Sequence, residues 1–316
     1  MGRDLTAKQL SIFAIFLFLP ILAAAEGVSV STAVPSRQTT LILGKVTLEP
    51  KKHYKKYKKM ADYAASRLGE VGIKYGTVIF AKSNKEMIQL LKEGRIDWVT
   101  DSPFSALLFC EKGDAEVFLR KWKKGEAMYR SVIFVHKGGN VRALKDLAGK
   151  TFAMEDPGSA SSFFIPLAMV KQAGIATIEL PSFREKPPTG TMGYIFADDE
   201  LSVATWVFKG LTDAGAVSDE RWRSKKDIPL NFKNDMEIIA QSEEFPRSIE
   251  VVRKNLDPNL KEKLKKVLLE AHEDPEGQEA LRSYDKTAKF DEFTGKAKEG
   301  LDRVKAMMQI IRKELE

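Results

Sequence analysis

The chain has 316 residues, of which 43% are hydrophobic and 30% charged, a balance that excludes a disordered chain and provides for ordinary globular cores. Its single cysteine, Cys110, excludes a disulfide framework, and three scattered histidines (His53, His136, His272) offer no metal-ligand spacing, so neither a metal nor any other cofactor is implied. The formal charge of +7 raises nucleic-acid binding as a possibility that the charge pattern must decide.

The chain opens "MGRDLTAKQLSIFAIFLFLPILAAAEGVS". Arg3 and Lys8 form a basic start, Leu10 to Ala25 an apolar stretch broken by Pro20, and Ala23-Ala24-Ala25 a small-residue cleavage site. This layout predicts a secretory signal over residues 1–25, cleaved near Ala25; an uncleaved anchor is the alternative, although the stretch is short for a membrane span. Glu26 follows in place of the cysteine a lipoprotein would need.

From residue 40 apolar runs alternate with helical patterns. "TLILGKV" (40–46) predicts a strand, and the lysine run "KKHYKKYKK" (51–59) begins a helix. Within that helix Tyr54, Tyr57, Met60, Ala61, Ala64 and Leu68 recur at three- and four-residue spacing, so the lysines form a solvated face and nucleic acid is not expected as a partner. "TVIFA" (77–81) predicts the next strand. The helix after it has Ser83 as N-cap, Glu86 completing a capping box and Gly94 as its stop. "IDWVT" (96–100) leads to "DSPFSALLF", where Ser102 caps a helix with Pro103 in its first turn and Cys110 fills apolar space. This βαβαβα order predicts a parallel sheet flanked by helices.

A long β run at 129–136 joins this unit to a second one with the same grammar. There "LKDLAGK" is a short helix, "TFAME" a strand, 159–173 a helix, "MGYIFA" a strand, "DDELSVATWVFKG" a helix and "TDAGAVS" (212–218) a strand. "EIIAQS" and "SIEVVRKNL", separated by "EEFP", predict a return crossover, and the C-terminal third is helical. No internal repeat is visible.

Two strand-to-helix turns carry the chemistry. In "EDPGSASSFFIPLAMV" (155–170) a strand ends at a Gly/Ser turn and enters a helix whose start holds Ser159, Ser161 and Ser162. The first amides of a helix lack internal partners and sit at the positive end of the peptide dipoles, so this turn suits an oxyanion. Pro166, just inside the helix, is more than simple capping requires. "DSPFS" (101–105), in the other unit, is a second such turn, and Thr47 after the first strand adds a hydroxyl. Ligands of open α/β sheets collect at the carboxyl ends of the strands, so two facing units would present both turns to one cleft.

With these residues in hand, the chain resembles the phosphate/phosphite/phosphonate-binding periplasmic proteins of ABC transporters, the PhnD-like branch of type II solute-binding proteins. The resemblance runs from about residue 40 to 285 through "EMIQLLKEGRIDWVTDSPFSALL", "YRSVIFVHKGGNVRALKDLAGKTFAMEDPGSASSFFIPLAMV", "WVFKGLTDAGAVSD" and "SEEFPRSIEVVRKNL". It implies an α/β, two-lobed periplasmic-binding fold of type II with two hinge crossovers. Lobe 1 would be residues 26–134 plus 246–316, and lobe 2 residues 135–245. It further implies a monomer that takes a small oxyanion and docks on an inner-membrane ABC permease. The family's anion turn falls on Ser159, Ala160 and Ser161, its counterpart on Asp101, Ser102 and Phe104, the aromatic before the crossover on Tyr129 and the acidic residue of "DAG" on Asp213. Departures lie at Ser162-Phe163 and at "ADDE" (197–200), where Asp199 and Glu200 either meet a ligand amino group or cap the following helix. Tyr129 either closes over the ligand or packs at the crossover.

These readings imply capture for transport, with a sensing module or a sulfonate- or sulfate-binding protein as alternatives. An enzyme is not expected. A serine hydrolase would need a histidine beside a cleft serine, and His53, at the start of the first helix, is the one candidate.

Overall fold

The computed structural model describes residues 37–312, so the expected signal segment and its cleavage site lie outside the described residues. The first half contains β1 (Thr40–Val46), α1 (Pro50–Ser66), β2 (Tyr75–Ala81), α2 (Asn84–Lys92), β3 (Trp98–Asp101), α3 (Pro103–Lys112) and β4 (Ala115–Lys121). After β5 (Met128–Tyr129) the second half contains β6 (Ser131–His136), β7 (Thr151–Met154), α4 (Ile165–Gln172), β8 (Ala176–Glu179) and β9 (Thr191–Phe196). It continues with α5 (Glu200–Phe208), β10 (Ala214–Ser218), α6 (Asp219–Arg223), α7 (Leu230–Asn234) and β11 (Met236–Gln241). Then come β12 (Phe245–Pro246), β13 (Ile249–Arg253), α8 (Pro258–Glu270), α9 (Pro275–Ser283), β14 (Phe290–Asp291) and α10 (Gly295–Ile310).

The strands form two six-stranded sheets, ordered β14-β4-β13-β3-β1-β2 and β11-β6-β10-β7-β9-β8. Without the edge strands β14 and β8, both follow one plan. Three parallel strands are ordered second-first-third, a strand arriving from the other half lies antiparallel beside the third, and a fourth strand lies beyond it. The halves are therefore a repeat of topology that the sequence does not display. Alternating apolar runs and short turns satisfy this plan with many different side chains.

The crossings are β5 and β12, which pair antiparallel with Tyr129 opposite Phe245. The run 129–136 is thus broken, and β6 pairs wholly with β10 and β11. Residues 131–134, which the sequence reading places in lobe 1, belong to the second sheet for that reason. The C-terminal helix α10 also departs from a simple two-lobe division. Its Leu301, Val304 and Met308 join a core cluster with residues of both halves, including Phe109 and Ile165.

Local chemistry explains the elements. The first five residues of β1 are buried, as expected for a strand covered on both faces of a parallel sheet. In α1 Tyr57, Met60, Ala61 and Ala64 are buried beneath the lysine face, whereas Tyr54 is exposed. Gly76 lets α1 lie close on β2, because a Cβ there would fall 2.2 Å from the Ala61 carbonyl oxygen. Ser83 and Ser102 accept hydrogen bonds from the amides three residues on, as their spacing predicts.

Candidate functional site

The carboxyl ends of β1, β3, β7 and β10 open onto one cleft between the halves, with a volume of about 1040 Å³. Thr47, following β1, lines it and accepts from the Glu49 amide at 3.1 Å. Asp101, at the end of β3, accepts from Lys45 Nζ at 2.9 Å and from the Ser102 amide at 2.7 Å. Ser102 caps α3 and its Oγ donates to the Gly158 carbonyl at 3.1 Å. That bond joins the two strand-to-helix turns directly, across the cleft.

The second turn opens with a wide helical turn over 160–164, in which the Phe164 amide reaches the Ser159 carbonyl at 3.0 Å. Pro166 has no N–H to continue this register to Ser161, whose carbonyl instead accepts from Ser131 Oγ at 2.6 Å. Ser159 Oγ accepts from the Ser162 amide at 3.1 Å and donates to Glu155 Oε2 at 2.7 Å. Asp156 Oδ1 accepts from the Gly158 amide at 2.7 Å. The amides of Ala160 and Ser161, both on the cleft wall, precede the first intrahelical bond and remain for a ligand. Tyr129 also lines the cleft. Burial raises its phenol above the usual range, opposed by the Arg247 guanidinium and the Ser161 side chain.

Four expected site residues lie elsewhere. Phe104 is buried and stacks on Phe164, ring centroids 4.5 Å apart, pinning the halves together below the cleft wall. Ser162 is fully buried, its Oγ donating to the Ala216 carbonyl and accepting from the Glu155 amide. Asp199 caps α5, accepting from the Ser202 amide at 2.8 Å, while its neighbours Asp198 and Glu200 line the cleft. Asp213 accepts from the Thr151 amide at 2.8 Å at the amino end of β7, the end away from the cleft. His53 and the four tryptophans are not among the lining residues either.

Charged side chains missed by the sequence reading dominate the walls. Lys121, 1% exposed, donates to Thr100 Oγ1 at 2.8 Å and Asp285 Oδ2 at 3.1 Å. Asp285 is held far below the usual carboxylate range; burial opposes this, but Lys121 and Lys123 outweigh it. Arg247 bonds Glu126 at 3.2 Å and Glu220 at 2.7 Å and lies 5.4 Å above the Tyr129 ring. Among the described residues Lys123 has no ion pair or side-chain hydrogen bond. Withdrawal from water lowers its ammonium to about 8; Asp285 opposes this, while Lys121, Lys45 and Arg247 add to it. Facing these cations, the second half contributes Glu155, Asp156, Asp198 and Glu200, with Arg221 Nε 2.9 Å from Glu200. Burial, then Glu200 and Asp156, raise the Glu155 carboxyl to about 8. The signals were present as "RKWKKGE" (120–126), which begins in the last two residues of β4, and as the acidic pair Glu155-Asp156 before the serine turn.

Among the described residues no group of three or more metal-ligating side chains occurs, and no helix is long and apolar enough to cross a membrane. A family model for the periplasmic substrate-binding protein of phosphonate ABC transporters matches residues 46–297. The chain belongs to that family. Structures of XAC2383 from Xanthomonas citri, one bound to chloride ion and one to ATP, are each 31% identical to this family member with TM-scores of 0.83. They cover 87% and 88% of this chain and 99% and 100% of their own. PhnD1 from Prochlorococcus marinus, in complex with methylphosphonate, is 15% identical and shares the type II fold with a TM-score of 0.63, over 87% of this chain and 99% of its own. The Phosphate-import protein PhnD of Mycolicibacterium smegmatis is 29% identical over 130 residues, 40% of this chain, and the match spans 38% of that relative's length.

Proposed function

We propose that this chain is the exported binding component of an ABC uptake system and captures an oxyanion of the phosphonate, phosphite or phosphate class. Residues 1–25 direct export and are cleaved near Ala25; the mature protein acts as a monomer in the periplasm and delivers its ligand to an inner-membrane permease. Its role is capture, not catalysis. The observation that carries this reading is the Ser102–Gly158 bond of 3.1 Å, which sets two helix N-termini from opposite halves around one cleft. The amides of Ala160 and Ser161 and the hydroxyls of Thr47 and Ser161 supply donors there. A buried donor set left unmatched by the wrong ligand costs about 1–3 kcal/mol per group, a strong source of selectivity. The methylphosphonate in Prochlorococcus PhnD1 and the ATP in Xanthomonas XAC2383 both carry phosphorus oxyanions and support the assignment.

Calorimetry on the ligand-stripped mature protein at low salt tests it, with phosphate, phosphite, methylphosphonate, aminoethylphosphonate, ATP and sulfate as titrants. Saturable binding of at least one phosphorus oxyanion is expected, together with a matching rise in thermal stability. Heat from sulfate alone would move the protein to the sulfate and sulfonate class. No heat from any titrant refutes the reading.

A further inference from the structure

The cleft is much larger than a bare oxyanion needs. A tetrahedral anion occupies roughly the space of two waters, about 60 Å³, whereas the cleft measures about 1040 Å³ even with the two halves in contact at Ser102–Gly158 and Phe104–Phe164. Such a volume matches ligands with a substantial organic body. The walls describe that body. Tyr129 is the only aromatic lining residue among the described residues, and its ring already lies against Phe245 at 4.6 Å and under Arg247. Among the described residues nothing else on the walls offers a stacking platform, so a ligand is held there by its polar groups and not by stacking.

Instead the second half offers acceptor oxygens on the carboxyl groups of Glu155, Asp156 and Glu200, a chemistry that matches hydroxyl donors. The first half offers a cation without a partner among the described residues. Lys45, Lys121, Lys124 and Arg247 each meet a carboxylate within 4 Å, while Lys123 meets none, and the other lining lysines without one, Lys82 and Lys85, are exposed at the rim. Its lowered ammonium fits a cation waiting for a counter-charge. Resting on the oxyanion reading, we propose that the ligand is a phosphate ester of a sugar, whose negative charge pairs with Lys123 and whose hydroxyls donate to Glu155, Asp156 and Glu200. The same chemistry occurs in a free sugar phosphate and in the ribose phosphates of a nucleotide.

The test is calorimetry on ligand-stripped mature protein with orthophosphate, methylphosphonate, ribose 5-phosphate, glucose 6-phosphate and ATP. At least one sugar ester is expected to bind tenfold or more tightly than both small oxyanions. A hexose or pentose phosphate binding best identifies a free sugar phosphate as the source, and ATP binding best identifies a nucleotide. Lys123→Met should weaken the best ester tenfold or more. Glu200→Gln should lower ester affinity relative to orthophosphate affinity, because it removes a hydroxyl acceptor that only the ester uses, a split that a merely structural role would not produce. Orthophosphate or methylphosphonate binding as tightly as every ester overturns the proposal while leaving the oxyanion reading intact, and unchanged ester affinity in Lys123→Met does the same. If none of the five binds, this proposal falls, and the oxyanion reading falls with it when phosphite and aminoethylphosphonate also fail to bind. Thermal unfolding confirms that each variant is folded, and Lys123→Gln replaces Lys123→Met if the latter is not; the comparison among ligands stands without either variant.

Discussion

Removing the Lys123 ammonium should stabilise the protein it belongs to. Lys123 makes no ion pair or side-chain hydrogen bond among the described residues, and its ammonium is lowered from 10.5 to about 8, mainly by withdrawal from water. At 1.36 kcal/mol per pH unit, that displacement corresponds to about 3 kcal/mol of folding free energy withheld while the lysine is charged. The side chain is only half-buried, and solvent screening reduces the figure to about 1–2 kcal/mol. Methionine keeps most of the apolar stem, so Lys123→Met should gain about 1–2 kcal/mol at pH 7. The sign follows from proton binding. Between pH 8 and 10.5 the unfolded lysine holds a proton that the folded one has released, so wild-type stability from this group rises with pH. The advantage of the variant should therefore be full below pH 8 and disappear by about pH 10.5. Urea unfolding of both proteins, ligand-free, at pH 7 and pH 10.5 measures the difference directly. A variant that is less stable at pH 7, or a gain that persists unchanged at pH 10.5, refutes the electrostatic account of this residue. Stability gained with affinity lost would mark Lys123 as a group kept for binding.

Glu155, raised to about 8, has the opposite pH dependence: the folded protein retains a proton between pH 4.5 and 8 that the unfolded chain has lost, so stability falls as pH rises through that window. Glu155→Gln should match wild type at pH 4.5 and exceed it by about 1–3 kcal/mol at pH 8.5 in denaturant melts. Ser161→Ala should weaken binding of the preferred phosphorus oxyanion by about 1–2 kcal/mol in calorimetry, with the melting temperature of the ligand-free protein little changed. Ser162→Ala should instead cost about 1–3 kcal/mol of stability, because its hydroxyl satisfies the buried Ala216 carbonyl and the Glu155 amide. Asp213→Ala should lower stability and leave affinity unchanged, since its partner Thr151 lies at the end of β7 away from the cleft; a large loss of affinity with an unchanged melting temperature would contradict that placement.

The outcome for Asp213 shows how topology corrects a resemblance. Asp213 precedes β10, and a residue before a parallel strand falls at the sheet end opposite the cleft. Ser218, at the other end of the same strand, lines the cleft instead. Strand β4 escaped the sequence reading because "AEVFLRK" mixes charges into a run that only becomes a strand between β13 and β14. Ser159 and Ser162, three residues apart in one turn, look equivalent in sequence; the wide helical turn sends one toward the cleft and the other into the core.

What the amino-acid order settles alone is local: the alternation of strands and helices, the caps at Ser83 and Ser102, and the two hydroxyl-rich turns. Caps span three residues and apolar periods a few turns, so their energetics are complete within a short segment. The cleft belongs to the tertiary structure. Lys121 meets Asp285 across 164 positions and Ser102 meets Gly158 across 56. Which lysine keeps a partner and which is left facing the ligand depends on burial and charge contributed by segments far apart in the chain, and those fields exist only once both sheets are assembled.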